Sequence, residues 1–171
     1  MPSLEKNAFA PENDVTVNDL AIRPMRSADA GDLSRMVTAL AAFHGDTATA
    51  TEQDFVTFCL GRKRLATILV ACADGRAVGF SACRDWANLV RGSKVRHIDL
   101  IFVDAEYRHL GIGAALIRAV ARTARDAGCN RVTVGAAADN ELAARFYLKL
   151  GFTVRKDHST QYALTDLGAL P

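Results

Sequence analysis

The stretch from residue 95 to residue 127 constrains the fold more than any other. Residues 95–103 read VRHIDLIFV. They alternate at first and then run continuously apolar, as a central strand does when both its faces are covered. A short turn containing Gly111 and Gly113 follows, and then a long pattern with Ile112, Ala115, Leu116, Ala119, Val120 and Ala127 on one side. That is the spacing of an amphipathic helix. A covered strand leading directly into such a helix calls for a sheet with helices packed on it.

The flanking sequence supplies the other elements. Residues 20–25 read as a first strand. Ser27 is placed to cap a helix with Leu33, Met36, Val37, Leu40 and Ala41 on its buried face, ended by Gly45. Thr51 with Asp54 resembles a capping box and opens a shorter helix, which Gly61 stops. Residues 67–73 and 77–84 are two apolar runs joined at Asp74-Gly75, a hairpin signal. Residues 85–94 read as a loop and 131–134 as a strand. Asp139 or Asn140 caps a helix carrying Ala143, Phe146, Tyr147 and Leu150, ended by Gly151. Residues 152–155 and 161–164 read as final strands. The order is β α α β β β α β α β β, an α+β fold around one mixed sheet.

Composition sets the frame for function. The 171 residues are half hydrophobic, enough to bury the core of one domain. Residues 1–18 are polar, carry Pro2 and Pro11, and read as a flexible tail; residues 19–171 form the domain. No proline lies between Met25 and Leu170, so no linker divides it. No apolar run approaches the roughly 18–20 residues that cross a bilayer, which argues against a membrane protein. A net charge of +2 is too weak for nucleic-acid binding through bulk charge. The four cysteines, Cys59, Cys72, Cys83 and Cys129, form no C-x-x-C pair and read as buried thiols in a reducing compartment. The N-terminus lacks the apolar core of a secretory signal, so a cytoplasmic location is expected.

The turn after the central strand carries the chemistry. Backbone N–H groups at a helix start have no intrahelical partner, and with the helix dipole they make an anion site. Gly111 and Gly113 allow a phosphate to approach the main chain, and Arg108 adds a fixed positive charge. That arrangement suits a pyrophosphate. A Rossmann site needs a third glycine where Leu116 stands, and a P-loop needs Gly-Lys-Ser/Thr; neither is present.

Arg108-x-x-Gly111-x-Gly113 resembles the R/Q-x-x-G-x-G/A signature of the GNAT N-acetyltransferases, which bind acetyl-coenzyme A. A second stretch, from Asn140 through Phe146-Tyr147 to Leu150-Gly151-Phe152, is similar to that family's N-x-x-A-x-x-F-Y-x-x-L-G-F. The resemblance covers residues 20–164. It implies a mixed, mostly antiparallel sheet with helices on both faces. Two positions depart from the pattern: Ala105 stands where proline is frequent, and His109 where glycine is frequent. The second bears on phosphate approach, because a side chain resists positive φ.

Acetyl transfer needs a neutral amine, a stabilised oxyanion and a proton for the departing thiolate. The resemblance implies that the fourth strand splays from the fifth, freeing backbone groups of Ile101, Phe102 and Val103 for pantetheine. It assigns the pyrophosphate to Arg108, His109, Leu110, Gly111, Ile112, Gly113 and Ala114. It assigns pantetheine binding to Asn140 as well, and the general acid to Tyr147, which also lies against the cofactor. A phenol with an ordinary pKa of about 10 is protonated at neutral pH. As a lone residue Tyr147 reads first as a core aromatic on its helix stripe, and the surrounding motif match reverses that preference. Asp99 is a charge in an apolar strand, and residues 97, 99, 101 and 103 share one face unless a bulge intervenes. Asp99 is thus the candidate anchor or base for the amine, with His97 as the other candidate base. The competing reading pairs Asp99 with Arg96 or a neighbouring-strand residue. His44 and Trp86 lie in segments that line the acceptor site in relatives. Arg118, Arg122 and Arg125 share a polar helix face, which reads as solvated or as a contact for the 3′-phosphate of coenzyme A.

The leading expectation is therefore an acetyl-CoA-dependent N-acetyltransferase that needs no metal and acts on a small primary amine by direct attack in a ternary complex. Residues 40–46 and the Trp86 segment look most like the diamine and polyamine group. A non-catalytic acyl-CoA sensor would keep Arg108, Gly111 and Gly113 and need neither Tyr147 nor Asp99. Protein N-terminal or lysine acetylation is a third reading. Family habit allows a homodimer, with no nucleic-acid or membrane partner.

Overall fold

The protein is described by a computed structural model covering Val17 and residues 19–155. The tail through residue 16, Asn18, and the strand expected at 161–164 lie outside the described residues. The chain divides into two compact units, one reaching to Gly135 and the other beginning at Ala136.

The first unit holds a five-stranded sheet in the order β1-β2-β3-β4-β5. Its strands are β1 Leu20–Pro24, β2 Thr67–Ala73, β3 Arg76–Asn88, β4 Ser93–Val103 and β5 Arg131–Val134. The first three pairings are antiparallel, and β4 runs parallel to β5. Between β1 and β2 lie α1 Ala30–Phe43 and α2 Glu52–Cys59, while α3 Ile112–Asp126 links β4 to β5. The mixed, mostly antiparallel α+β architecture is the expected one.

Alternation along the strands builds two cores. Ile68, Val70 and Cys72 of β2, with Phe80, Ala82 and Phe102, face Leu33 and Met36 of α1 and Phe55 of α2. The intervening Leu69, Ala71 and Ala73 turn to the opposite face, which α3 covers with Ile112, Leu116 and Val120. Leu33, Met36, Leu116 and Val120 are fully sequestered, each contributing about 1.5–3 kcal/mol through removal from water.

Local signals locate most boundaries. Asp74 and Gly75 both have positive φ, the type I′ turn that fits the twist of a two-residue hairpin. Thr51 and Asp54 exchange side-chain and backbone hydrogen bonds as a full capping box. Three expectations need correction. Ser27 does not cap α1. Residues Ser27–Asp29 form a 3₁₀ turn, and Asp29 bonds the Arg26 N–H at 2.6 Å while Arg23 grips its two oxygens at 2.7 and 2.8 Å. The α-helix proper starts at Ala30, with Asp29 at its N-cap position and no side-chain cap bond. The segment 85–94 is mostly not a loop: β3 and β4 continue their ladder to Asn88↔Ser93, leaving 89–92 as the turn. Residues 152–155 are not in a strand.

In the second unit, α4 spans Glu141–Lys149, and Asn140 is its N-cap, accepting the Ala143 N–H at 3.0 Å. Gly151 ends it at φ +89°.

Candidate functional site

The site in the first unit is built on the C-terminal half of β4. The β4–β5 ladder runs from Val95↔Arg131 to Ile98↔Val134 and stops there. Across β3 the partners step from Cys83↔Ile98 to Ala82↔Leu100, so Asp99 is the extra residue of a β-bulge. A bulge bends its strand and increases the local twist. It comes at the residue where the parallel ladder opens, so β4 leaves β5 at Asp99. Beyond that point β4 pairs with β3 alone among the described residues. The ladder thus ends short of Ile101, Phe102 and Val103, whose edge on that side has no strand partner among the described residues.

The bulge also resets the alternation. Arg84 pairs with His97 and Phe80 with Phe102, so positions 97, 100 and 102 share the α1 face with residues 80, 82 and 84. Asp99 stays on that face, with its Oδ1 2.9 Å from Arg84 Nε and 4.0 Å from His97 Nε2. Ile101 and Val103 turn to the α3 face, so the expectation that 97, 99, 101 and 103 share one face fails at the bulge. Within the sheet, only backbone groups of 101–103 are offered along the open edge. The Phe102 ring is buried in the α1 core, 6.4 Å from that of Phe80.

Asp99 does form an ion pair, with Arg84 on the neighbouring strand. Arg96 is committed elsewhere, to Asp85 at 2.6 and 2.9 Å and to Thr123 at 2.8 Å. The Arg96 contacts hold the Asp85 carboxyl below its usual range. His97 Nδ1 lies 2.9 Å from the hydroxyl of buried Thr133 on β5. Sequence reasoning singled out Asp99 and His97 but missed Arg84 and Thr133. The one available signal was a second charge, Arg84, closing an apolar run.

The turn after β4 has the form of an anion cradle. Ala105–Tyr107 make one 3₁₀ turn, His109 and Gly111 take left-handed φ of +66° and +81°, and α3 begins at Ile112. His109 thus adopts the backbone conformation that glycine would, despite its side chain. No side chain caps α3. The first N–H at this end with an acceptor in the helix is that of Ala115, bonded to Gly111 O at 3.0 Å. Those of residues 109–114 have none among the described residues. Arg108 is held over the strand end, donating from Nε to Val103 O at 3.1 Å, with its guanidinium 6.0 Å from the Phe102 ring centre. Its two terminal nitrogens have no partner among the described residues. An open strand edge that continues into a cluster of unpaired amides and an arginine suits an extended amide-bearing arm ending in a pyrophosphate.

The remaining candidates fall as follows. His44 is the exposed C-cap of α1 and stacks edge-on with Phe43. Trp86 sits on β3 opposite Val95, 42% exposed. Arg118, Arg122 and Arg125 are exposed, without ion-pair partners among the described residues. In the second unit, the Asn140 carbonyl oxygen is occupied by its capping bond, leaving the amide hydrogens for a ligand. The Tyr147 ring packs against Phe146 and Phe152 at 5.3 and 5.5 Å, and burial pushes its pKa above the ordinary phenol value. All four cysteines are free thiols, and burial pushes those of Cys59, Cys83 and Cys129 upward, which makes them poor nucleophiles.

Comparison with known proteins agrees with this geometry. The sequence model of the Acetyltransferase (GNAT) family matches residues 34–152. The chain belongs to the GNAT acetyltransferase family. It is 38% identical over 80 residues to an uncharacterized N-acetyltransferase of Methanocaldococcus jannaschii, covering 46% of this chain and 35% of that one. It is 37% identical over 79 residues to the glucosamine 6-phosphate N-acetyltransferase of Trypanosoma brucei brucei, covering 46% and 52%. The crystal structure of a Trypanosoma brucei acetyltransferase superposes with a TM-score of 0.69 at 26% identity, covering 85% of this chain and all of that one. The matches to the two curated relatives span about a third to a half of their length.

Proposed function

We propose that this chain transfers the acetyl group of acetyl-CoA to the primary amine of a small molecule by direct attack in a ternary complex. The observation that carries the reading is the β4 edge that opens at Asp99 and runs into the amides of residues 109–114, both without partners among the described residues. The edge at Ile101, Phe102 and Val103 would pair with pantetheine. Arg108, His109, Leu110, Gly111, Ile112, Gly113 and Ala114 would hold the pyrophosphate, and Asn140 and Tyr147 complete the binding set by family resemblance. When bound, acetyl-CoA supplies a thioester carbonyl activated for attack.

The chain's own groups supply the rest. Asp99 attracts the ammonium form of the acceptor and takes one proton from it, directly, through a water or by way of His97. The amine nitrogen then forms the C–N bond as the C–S bond breaks, with the electron pair leaving on sulfur. A backbone N–H on the open edge stabilises charge on the carbonyl oxygen. Tyr147 donates the proton that sulfur takes up, its raised pKa keeping it protonated across the neutral range, and the second proton, lost by the acetylated nitrogen, passes through solvent to restore the phenol. His44 and Trp86 are assigned to the acceptor side.

A relative named for glucosamine 6-phosphate supports a small-molecule amine. The narrower likeness to diamine and polyamine acetyltransferases has no support in the relatives named above, and Trp86 stands on a strand instead of the loop that suggested it.

The test is thiol release from acetyl-CoA with a panel of amines, for the parent and for Asp99→Asn. That change removes the charge and the basic oxygen at nearly constant size. The expected outcome is a fall in kcat/KM for the amine, with acetyl-CoA binding nearly unchanged. The loss should shrink as pH rises and more of the amine, with a pKa near 10.4, is already neutral. Equal losses at every pH would assign Asp99 to amine positioning. Acetyl-CoA binding without turnover of any amine would overturn the enzyme reading in favour of a sensor.

A further inference from the structure

The ion pair between Arg84 and Asp99 differs from three of the four other arginine–aspartate pairs of the first unit, the fourth being a long 3.8 Å contact of Arg35 with Asp32 along α1. Arg23 holds both oxygens of Asp29, Arg35 both oxygens of Asp104, and Arg96 both oxygens of Asp85. These are closed forks, the geometry that satisfies a guanidinium and a carboxylate together. The shortest approach of Arg84 to Asp99 is Nε to Oδ1 at 2.9 Å, and no two-pronged hydrogen-bonded fork joins them. Its two terminal nitrogens and the Asp99 Oδ2 have no hydrogen-bond partner among the described residues. The Arg84 side chain is 62% exposed and that of Asp99 33% exposed. The pair sits on the α1 face of the sheet at the residue where β4 leaves β5, beside the edge assigned above to the acyl donor. A half-made ion pair there leaves one anionic and one cationic end open side by side.

We propose that this pair is a zwitterion reader: the acceptor is a small amine that also carries a carboxylate or phosphate a few bonds from its nitrogen, with Asp99 taking the ammonium and Arg84 the anion. The inference rests on the acetyl-transfer reading above and specifies its substrate class. The two open ends match such a molecule in sign, and the planar fork of Arg84 suits either oxyanion. A diamine fits poorly, because its second ammonium would lie against Arg84. The nearest other carboxylate on β3, Asp85, is already held by Arg96 and Lys94 and belongs to the opposite face of the strand. The transfer itself is unchanged: the ammonium gives up a proton, the nitrogen is acetylated, and coenzyme A leaves as the thiol. The anion takes no part in bond making.

The experiment uses the full chain, acetyl-CoA and matched acceptors: O-phosphoethanolamine against ethanolamine, β-alanine against its amide, and ethylenediamine as the dication. Rates are expressed per neutral amine. The expected result is a kcat/KM at least about tenfold higher for the anionic member of one pair, the size of one charge-assisted contact. The pair with the larger ratio tells phosphate from carboxylate. Arg84→Gln should lower that ratio by a similar factor while the KM for acetyl-CoA stays put, and Arg84→Lys should restore part of it. Both variants should fold, since the side chain is mostly exposed, and thermal unfolding checks this. A preference for the neutral or dicationic acceptor, or a ratio indifferent to Arg84→Gln, overturns the proposal and leaves a structural cross-strand pair. Turnover of no acceptor at all overturns the acetyl-transfer reading and this one with it, whereas turnover with the wrong preference overturns only this one.

Discussion

Replacing Gly111 by alanine isolates the backbone contribution of the turn before α3. Gly111 has φ +81° and ψ 0°, and a Cβ built there meets no atom within 4 Å. No clash arises, so the cost is conformational: about 1–2 kcal/mol for an L-residue in the left-handed region. The alanine also narrows the unfolded ensemble, which returns about 0.4–1 kcal/mol. The net loss is about 1 kcal/mol, or about 2–4 °C in Tm for a chain of this size. His109 provides the mirror experiment, because it already takes φ +66° with a side chain. In His109→Gly the same two terms enter with opposite sign, so the variant should gain up to about 1 kcal/mol and up to about 2–4 °C in Tm. Thermal unfolding by circular dichroism reads stability, and calorimetry with coenzyme A reads the amides of residues 109–114, whose directions this turn sets. If Gly111→Ala instead relaxes to negative φ, Tm is kept and the amides swing away. Affinity then falls about 10–100-fold, the loss of a hydrogen bond to a charged group. A variant unchanged in both Tm and affinity would refute the left-handed turn as the device that presents the amides.

Gly113→Val should abolish coenzyme A binding in calorimetry without unfolding the domain, because a branched side chain obstructs backbone–phosphate contact. Tyr147→Phe should keep acetyl-CoA affinity and lower turnover by about 10²–10⁴-fold; a loss of only a few-fold would remove Tyr147 from the proton-donating role. Asp29→Asn should destabilise the fold toward the lower end of the roughly 3–5 kcal/mol typical of a broken buried pair, since Arg23 keeps some exposure. Arg23 holds the Asp29 carboxyl below its usual range, so its stabilisation is present above the unfolded pKa near 3.9 and fades as pH falls through the depressed folded value. The Tm gap between parent and Asp29→Asn should therefore be full at pH 7 and narrow below about pH 4.

The elements were legible because their signals are local. Asp74-Gly75 defines a two-residue turn wherever the two apolar runs around it end up, and both residues do take positive φ. Thr51 and Asp54 are three residues apart, close enough to bond each other without help from the rest of the chain. The β2 and β5 boundaries and the Asn140 cap follow from similar short-range chemistry. The GNAT motifs likewise pack their information into stretches of about a dozen residues, so the anion turn and α4 could be located from the sequence alone.

What tertiary structure decided depends on contacts between different elements. Ser27 lies in a 3₁₀ turn instead of capping α1, and that turn is held by the Asp29 carboxylate, which accepts the Arg26 N–H and the fork of Arg23 from the preceding strand. Trp86 is on a strand because β3 and β4 keep their ladder as far as Asn88↔Ser93, a matter of cross-strand register that neither segment reveals by itself. The bulge at Asp99 matters most. One unpaired residue resets the faces of β4, separates Ile101 and Val103 from Asp99, directs Asp99 to Arg84 and coincides with the opening of the β4–β5 ladder. The residue types of that site are all readable in the sequence. Which of them meet depends on the registry of three strands, and registry is a property of the assembled sheet.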